Sequence, residues 1–449
     1  MQTSDSRSDL TQGVVWKKLL GFFFPILMGL LFQQLYNTVD AVIIGRFCGS
    51  AALAAVGGSP AVITQTLIGF FTGLNSGASV LAAQRAGAND AEGLKRTVRT
   101  SFLLCLALGL LVTLLGQLIA RPALRLVNNP EELTADSALY LRIYFIGSVP
   151  LLIYNLGQGI LQGVGDSRRP LIYLSVSCLV NIVLDLLFVA VFGLGIAGAA
   201  WASVISMLLS AVLAVGHLLR TSSPWQLDLS SLRPDPSLLR SILRIGVPAG
   251  LQGSTYSISN LIIQSSVNSF GTVLVAAWTA TGKLDGLYWS TTTAFCTAIC
   301  SFVAQCMGAG LYDRLRKSIR VCMCISLGVT VLLSTLLLLI ARPAYSFFLD
   351  SEEVIDTAIR VMWYFVPFYF IWSFGDVIAG TFRGMGETFM PMVINIIGVC
   401  VFRALWVMFV VPRWHTLTAI CIEYIISWIF TTGAFSLLYF KKLRKRLHA

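Results

Sequence analysis

The amino-acid sequence predicts an all-α membrane protein with twelve transmembrane helices arranged as two six-helix parallel repeats. The chain of 449 residues is 56% hydrophobic and only 12% charged, and its mean hydropathy is +0.79. A water-soluble domain of this length has too little interior to hide so much apolar area. Twelve long apolar runs, and a set of motifs that occurs twice, are the other two observations that predict this class.

Each apolar run has about 20 residues or more, which is the length that a helix needs to cross a bilayer. The runs are uniformly apolar and lack the alternation of outer-membrane barrel strands, so helices are predicted. The predicted spans are 19–44, 53–80, 100–119, 137–161, 171–193, 196–219, 241–265, 273–303, 321–340, 355–381, 391–411 and 417–440.

The lysine and arginine residues predict the orientation. Of the 32 such residues, 23 fall in segments on one side of the predicted membrane and 5 on the other. The positive-inside rule therefore predicts that both termini are cytoplasmic. The plasma membrane is the expected location. The basic residues are spread between apolar runs, so no nucleic-acid partner is expected. The predicted divisions are a cytoplasmic tail at 1–18, an N-lobe at 19–219, a cytoplasmic linker at 220–240, a C-lobe at 241–440 and a basic cytoplasmic tail at 441–449.

An internal repeat relates the two lobes. "AQRAGA" begins at 83 and "AQCMGA" at 304, "ARPA" begins at 120 and at 341, and "QGVGDSRRP" at 162 is matched by "RGMGETFMP" at 383, so the displacement along the chain is the same each time. Chance similarity between apolar helices does not keep one displacement. Six spans per repeat give both lobes the same orientation, which predicts parallel repeats with a substrate path between them.

Several motifs resemble the multidrug and toxic compound extrusion (MATE) family, of bacterial type. They are "NTVDAVIIGR", "AQRAGA", "QGVGDSRRP", "NIVLDLLFV" and "GIAGAAWASVIS", and the resemblance extends over residues 15–440. It implies a two-lobed secondary antiporter that works by alternating access. It also implies export of cationic or amphipathic drugs, or toxic metabolites, in exchange for protons or sodium ions, with no further cofactor.

Polar side chains of the N-lobe share one predicted depth. Counted from the outer loops, Asp40, Asp185 and Ser203 lie about 9 to 12 Å below the outer surface, and Asn181 shares the helical face of Asp185. Two neighbouring carboxylates in a low dielectric hold a proton or a cation, and oxygen ligands suit a sodium ion. The alternative is hydrogen bonding between helices alone. The resembled family has its cation site on these helices, so the resemblance implies cation coupling at all four residues, with Ser203 in place of a threonine.

Helices 1 and 10 supply further candidates. Pro25 removes a backbone hydrogen bond within the first span and predicts a bend there; the resemblance implies that this bend links ion binding to drug binding. Tyr36 lies one turn before Asp40, and we assign it to the substrate cleft together with Asn37 and Asp376. The alternative for Tyr36 is an interface aromatic or a packed core residue.

The C-lobe departs from the N-lobe. The position of Asp40 corresponds to the apolar region around Ile262, so the first acid has no counterpart, and helix 7 lacks the glutamate that some members of the resembled family carry. Arg403 and Glu423 lie at the level of the N-lobe acids and predict a salt bridge, for which a structural role is favoured over ion coupling.

Other functions fit the sequence less well. A flippase for lipid-linked oligosaccharides, the alternative within the same superfamily, needs several deep basic residues, whereas only Lys283 and Arg403 lie deep. An enzyme is not expected, because the three His residues have no acid at catalytic spacing and the ten Cys residues form no metal motif. Small organic cations and membrane lipid are the expected partners of a monomer. Lys283 and Asp285 receive no role, and the choice between H+ and Na+ stays open.

Overall fold

A computed structural model describes residues 9–229 and 233–447. Residues 1–8 of the predicted amino-terminal tail, 230–232 of the predicted linker and 448–449 of the basic tail lie outside the described residues. Within this part of the chain all regular structure is helical and forms twelve long segments. They are α1 (Val15–Gly57), α2 (Ser59–Gly87), α3 (Ala91–Leu126), α4 (Glu131–Ile146 and Ser148–Gly163), α5 (Arg168–Val191), α6 (Gly195–Arg220), α7 (Pro236–Asn268), α8 (Thr272–Gly308), α9 (Tyr312–Phe348), α10 (Glu352–Gly384), α11 (Phe389–Phe409) and α12 (Leu417–Leu447).

Twelve spanning helices are confirmed, although two of them differ from the rest. Ten helices in the described residues combine the length and apolarity of a span, and α4 is an eleventh whose two pieces are bent by 50°. The twelfth, α7, has 33 residues but carries the polar side chains of Gln252, Ser254 and Thr255 near its middle. It packs along α2, so one of its faces meets protein instead of lipid.

Most helices extend beyond the predicted apolar runs. Hydropathy identifies only the apolar part of a helix, and the polar turns at its ends are missed. α3 begins at Ala91, where the predicted span began at 100. Its first turn is capped by Asp90, whose Oδ1 accepts a hydrogen bond of 2.8 Å from the backbone N–H of Gly93. Aspartate at this position satisfies one of the free donors at the helix start.

The long first helix is interrupted at Gly49 rather than at Pro25. A continuous helix of 43 residues would measure about 65 Å, twice the thickness of a bilayer core. Gly49 has a φ of +87°, which glycine adopts without a steric penalty, and it is the residue of α1 with non-helical dihedral angles. The predicted span 19–44 ends before this break, and α1 runs through Pro25 with helical dihedral angles.

Two of the seams between the lobes join α2 to α7 and α1 to α8. In one seam α2 lies so close to α7 that a Cβ added to Gly73 would overlap the backbone carbonyl of Ala249. In the other, the apolar inner half of α1 packs on α8, where the rings of Phe23 and Phe295 are stacked with their centroids 4.0 Å apart. The N-lobe helix α1 is therefore also part of the interface with the C-lobe.

The first and last described residues lie on the face of the bundle that carries the basic loops, which we call the inner face. The backbone N–H of Leu10 donates to Gln305 Oε1 at 3.2 Å, and the Arg314 guanidinium donates to the carbonyls of Leu10 and Gly13. Near the other terminus, Lys442 pairs with Glu387 at 2.6 Å. These contacts hold the start of α1 and the end of α12 against the C-lobe.

Candidate cation site

The candidate cation site lies where α1 packs against α5 in the N-lobe, with α6 alongside. Asp40 on α1 and Asp185 on α5 bring their carboxyl groups within hydrogen-bonding reach of each other. Asp185 is fully buried, and Asn181, one turn earlier on α5, is 2% exposed; Asp40 is half-buried. The structure thus brings together the two acids that the sequence places at a common depth.

The polar atoms of this site have too few partners. Both carboxyl oxygens of Asp185, both polar atoms of the Asn181 amide and Oδ1 of Asp40 are buried and accept or donate no hydrogen bond. Buried polar atoms in native proteins are nearly always paired, and an unpaired buried carboxylate is costly. No Lys, Arg or His in the described residues interacts with either acid. A proton or a cation would supply the missing hydrogen-bond donor or positive charge.

The backbone of α5 widens directly after Asp185. The helix is α-helical from Arg168 to Asp185 and π-helical from Leu186 to Val191. A π turn inserts an extra residue into a helix and is often found at a functional site. The change from α-helix to π-helix begins at Leu186, directly after the carboxylate, so the residues that follow lie on other faces of the helix than the α-helical period predicts.

Two tyrosines lie beside the carboxyl pair and a third packs on one of them, and sequence reasoning identified only one of the three. Tyr36 on α1 lies close to Asp40, and Tyr140 on α4 lies close to both acids. Tyr144, one turn after Tyr140, stacks on it with ring centroids 5.9 Å apart. Tyr140 and Tyr144 are four residues apart, so the sequence indicates that they share one face of α4. It does not indicate which neighbouring helix that face contacts.

The remaining predicted residues lie in different surroundings. Ser203 is half-buried on α6 and is not hydrogen-bonded to Asp185. Asn37 is exposed and Pro25 is half-buried. Asp376 lines a small cavity inside the C-lobe, together with Tyr256, Trp372 and Thr432, so it does not share the surroundings of the N-lobe acids.

Arg403 and Glu423 lie together in the C-lobe. Nε of Arg403 is 3.1 Å from Oε1 of Glu423, and their side chains are 5% and 0% exposed. The guanidinium also lies 4.0 Å from the ring centroid of Tyr424, a cation–π contact. Each of these two buried charges therefore has a partner, in contrast to Asp40 and Asp185.

The fold and the site together define a class of protein. Two six-helix lobes meet at a central interface, and one of them buries an uncompensated pair of acids inside the membrane, which is the arrangement of a secondary membrane transporter. The family model MatE matches residues 25–187 and 248–408, once in each lobe. The chain belongs to the MATE family of multi-pass membrane transporters, as its motifs indicated, and it is a transporter and not an enzyme.

Relatives match along most of the chain. The probable multidrug resistance protein YoeA of Bacillus subtilis is 31% identical over 392 residues, which cover 86% of this chain and 84% of that protein. The probable multidrug resistance protein NorM of Thermotoga maritima is 24% identical over 410 residues, 89% of this chain and 86% of the relative. Among solved structures, a MOP superfamily transporter from Pyrococcus furiosus superposes with a TM-score of 0.91 at 24% identity, covering 100% of this chain and 99% of that one.

Proposed function

We propose that the protein is a secondary antiporter that exports cationic or amphipathic organic compounds in exchange for an ion bound by Asp40 and Asp185. The observation that carries this proposal is the buried carboxyl pair with its unpaired oxygens. Relatives support the export of drugs: YoeA is named a probable multidrug resistance protein, and a Staphylococcus aureus relative, 22% identical over 268 residues, is named a multidrug export protein. Toxic metabolites belong to the same substrate class.

A proton is the coupling ion that the contact between the two acids favours. Two carboxyl groups within hydrogen-bonding reach cannot both stay ionised at low cost, and one shared proton removes the repulsion. Gln84 and Gln305 bind the lobes together at the inner face, so in the proposed cycle this conformation is the one in which the pair would exchange its proton with the outer side. Opening of the inner face would then expose the same pair to the cytoplasm, which is alternating access.

A sodium ion is the second candidate, and the Asn181 side chain favours it. Its amide oxygen is buried and unpaired one turn from Asp185. Sodium binds several hard oxygen ligands, and the hydroxyl of Ser203 on α6 could complete such a set once the helices shift. The Asp40 carboxylate would have to move away from Asp185 to make room for the ion.

The organic cation would bind beside the same acids. Tyr36 and Tyr140 place aromatic rings near the carboxyl pair, and a cation is attracted both to the negative face of a ring and to a carboxylate. Substrate and coupling ion would then compete for Asp40, which is how exchange becomes obligatory. The rival proposal, a flippase for lipid-linked oligosaccharides, needs several deep basic groups, whereas Arg403 is already paired with Glu423 and of the two predicted deep basic residues only Lys283 is left.

The proposal is tested in inverted vesicles, or proteoliposomes, with a proton gradient and a sodium gradient imposed separately. Uptake of a fluorescent organic cation is followed for the wild type, for Asp185→Asn and for Asp136→Asn, the last being an exposed acid at the outer end of α4. We expect Asp185→Asn to reduce gradient-driven uptake at least tenfold and Asp136→Asn to leave it unchanged. Equal uptake by both variants would contradict the proposal. Because one relative is named an FAD transporter, FAD serves as an anionic comparison substrate.

A further inference from the structure

A third buried acid lies in the C-lobe, on a helix that the proposed function does not use. Asp285 is 7% exposed, and its Oδ1 is buried without a hydrogen-bond partner. It follows Thr272, the first residue of α8, by 13 residues, or about 20 Å along the helix, which places it near the middle of the bundle. An ionisable side chain at that depth is costly unless it has a function or a compensating partner.

The nearest polar group to Asp285 is the hydroxyl of Tyr369 on α10. This hydroxyl lies beside the carboxyl group, and it too is buried without a satisfied hydrogen bond. If Asp285 is ionised, the two side chains together have one hydrogen-bond donor, the Tyr369 hydroxyl, and several acceptor oxygens. A proton on Asp285 supplies the missing donor, because its O–H can then donate to the oxygen of Tyr369.

No positive charge compensates Asp285 in the described part of the chain. Lys283 is exposed on another side of α8, Arg403 is paired with Glu423, and α1 approaches α8 here through the neutral side chain of Gln34. The titratable groups that face the carboxyl are all tyrosines, namely Tyr288 of α8, Tyr345 of α9, Tyr369 of α10 and Tyr424 of α12.

The side chains around Asp285 form a closely packed network. The rings of Tyr288 and Tyr369 are stacked with centroids 3.9 Å apart and both are buried. The Tyr288 hydroxyl donates to the carbonyl of Tyr369 at 2.9 Å and lies 3.2 Å from Ser373 Oγ, which is 2.8 Å from Thr330 Oγ1. These contacts tie α8, α9 and α10 together around Asp285.

We propose that Asp285 is a proton-binding site of the C-lobe, separate from the pair of acids in the N-lobe. The carboxyl group holds a proton and donates it in a hydrogen bond to Tyr369 while α8 and α10 are packed as in this structure. When these helices part, the O–H bond of the carboxyl group breaks, the proton passes to water and the carboxylate becomes hydrated. Protonation of Asp285 thus stabilises the packed C-lobe, and loss of the proton stabilises the separated one.

The position of this site couples it to the interface between the lobes. Gln34 Nε2 donates to the carbonyl of Gly286, the residue after Asp285, at 3.2 Å, and to Ser290 Oγ at 3.1 Å. Gln34 precedes Asp40 by six residues on α1. A movement of α8 that releases the proton from Asp285 therefore also disturbs the helix that carries the N-lobe acid.

The proposal is tested by infrared difference spectroscopy of the purified full-length protein in lipid, recorded across a pH titration. The C=O band of a protonated carboxyl group is read for the wild type, Asp285→Asn and Tyr369→Phe. We expect Asp285→Asn to lose one such band, and Tyr369→Phe to shift the same band because the carboxyl loses its hydrogen-bond partner. Asp313→Asn is the matched control, since that side chain is 99% exposed on α9.

Two results would overturn the proposal: Asp285→Asn keeps every protonated-carboxyl band of the wild type, or Tyr369→Phe leaves all of these bands unshifted. Tyr369→Phe keeps the carboxyl group in place, so it tests the site even where Asp285→Asn fails to fold. The double variant of Asp40→Asn with Asp185→Asn separates this inference from the proposed function. The Asp285 band is expected to persist in it, and its loss would show that the band belongs to the N-lobe acids.

Discussion

Gln84 of the N-lobe and Gln305 of the C-lobe occupy equivalent positions in the two repeats, and each donates a hydrogen bond to a backbone carbonyl of the opposite lobe. Nε2 of Gln305 lies 2.7 Å from the carbonyl oxygen of Gly163, and Nε2 of Gln84 lies 3.1 Å from that of Gly384. The two acceptors are equivalent in the repeats as well, in the paired motifs "QGVGDSRRP" and "RGMGETFMP". The repeated "AQxxGA" motif thus closes the inner face with two equivalent hydrogen bonds, one from each lobe.

Gln305→Ala is expected to weaken this closure more than Gln84→Ala. A hydrogen bond of this kind contributes about 1 kcal/mol, which corresponds to about a fivefold change in the ratio of closed to open molecules. Gln305 also accepts a hydrogen bond from the backbone of Leu10, so its removal costs a second contact. Spin-label distances between Glu92 and Asp313, both exposed near the inner face, measure the closed fraction in a Cys324→Ser background.

The matched control for the glutamine variants is Gln264→Ala. This glutamine bonds its neighbour Asn268 near the opposite end of α7 and makes no contact at the inner face. The distribution of spin-label distances in Gln264→Ala should equal that of the Cys324→Ser parent protein. An unchanged distribution for Gln305→Ala would show that the reciprocal bonds do not determine closure.

Gly308→Ala is expected to open the inner face further than either glutamine variant. A Cβ at this position would overlap the backbone carbonyl of Gln84, and a backbone group cannot swing away as a side chain can. The lobes must separate, so the closed fraction should fall at least tenfold. Gly328→Ala on α9 is the control, because a Cβ there meets nothing within 4 Å. The same distance measurement applies, and equal behaviour of the two alanine variants would refute close packing at Gly308.

Glu423→Gln is expected to destabilise the C-lobe strongly. Removing one partner of a buried ion pair leaves the other charge uncompensated, at a cost of about 3 to 5 kcal/mol, and Arg403 is only 5% exposed. Glu352→Gln is the comparison, because Glu352 pairs with Arg342 at the surface, where the side chains are 72% and 58% exposed. An exposed pair contributes about 0 to 1 kcal/mol to stability. Thermal unfolding in detergent should show a much larger loss for Glu423→Gln. Equal losses would mean that the buried pair has no structural role.

The sequence predicted those features that show as a difference between a residue and its neighbours along the chain, or as a motif that occurs twice. Asp40 and Asp185 stand out because a carboxylate in an apolar run is rare, and counting residues from the loops is enough to place both at one depth. The constant displacement between the paired motifs revealed the two repeats without any knowledge of packing. The twelve spans followed from hydropathy, even for α7, which is more polar than the others.

What the sequence did not predict depends on contacts between helices. Tyr140 approaches the carboxyl pair only because α4 packs against α1, and no local pattern specifies that contact. The glutamines of the repeated motif were found, but their partners lie 142 and 300 residues away along the chain. The interruption of α1 at Gly49 was also missed, because glycine occurs both within helices and at their breaks.

The central claim is that Asp40 and Asp185 bind the coupling ion, and the most direct test separates coupling from transport. Substrate exchange without any ion gradient and gradient-driven accumulation are measured in the same proteoliposomes for the wild type, Asp40→Asn and Asp185→Asn. If the pair binds the ion, Asp185→Asn should retain exchange while its accumulation falls to less than a tenth of the wild-type value. Asp40→Asn, which also removes the carboxylate that attracts the substrate, should lose accumulation to the same extent and show weaker exchange. Accumulation by both variants at the wild-type level would contradict the account.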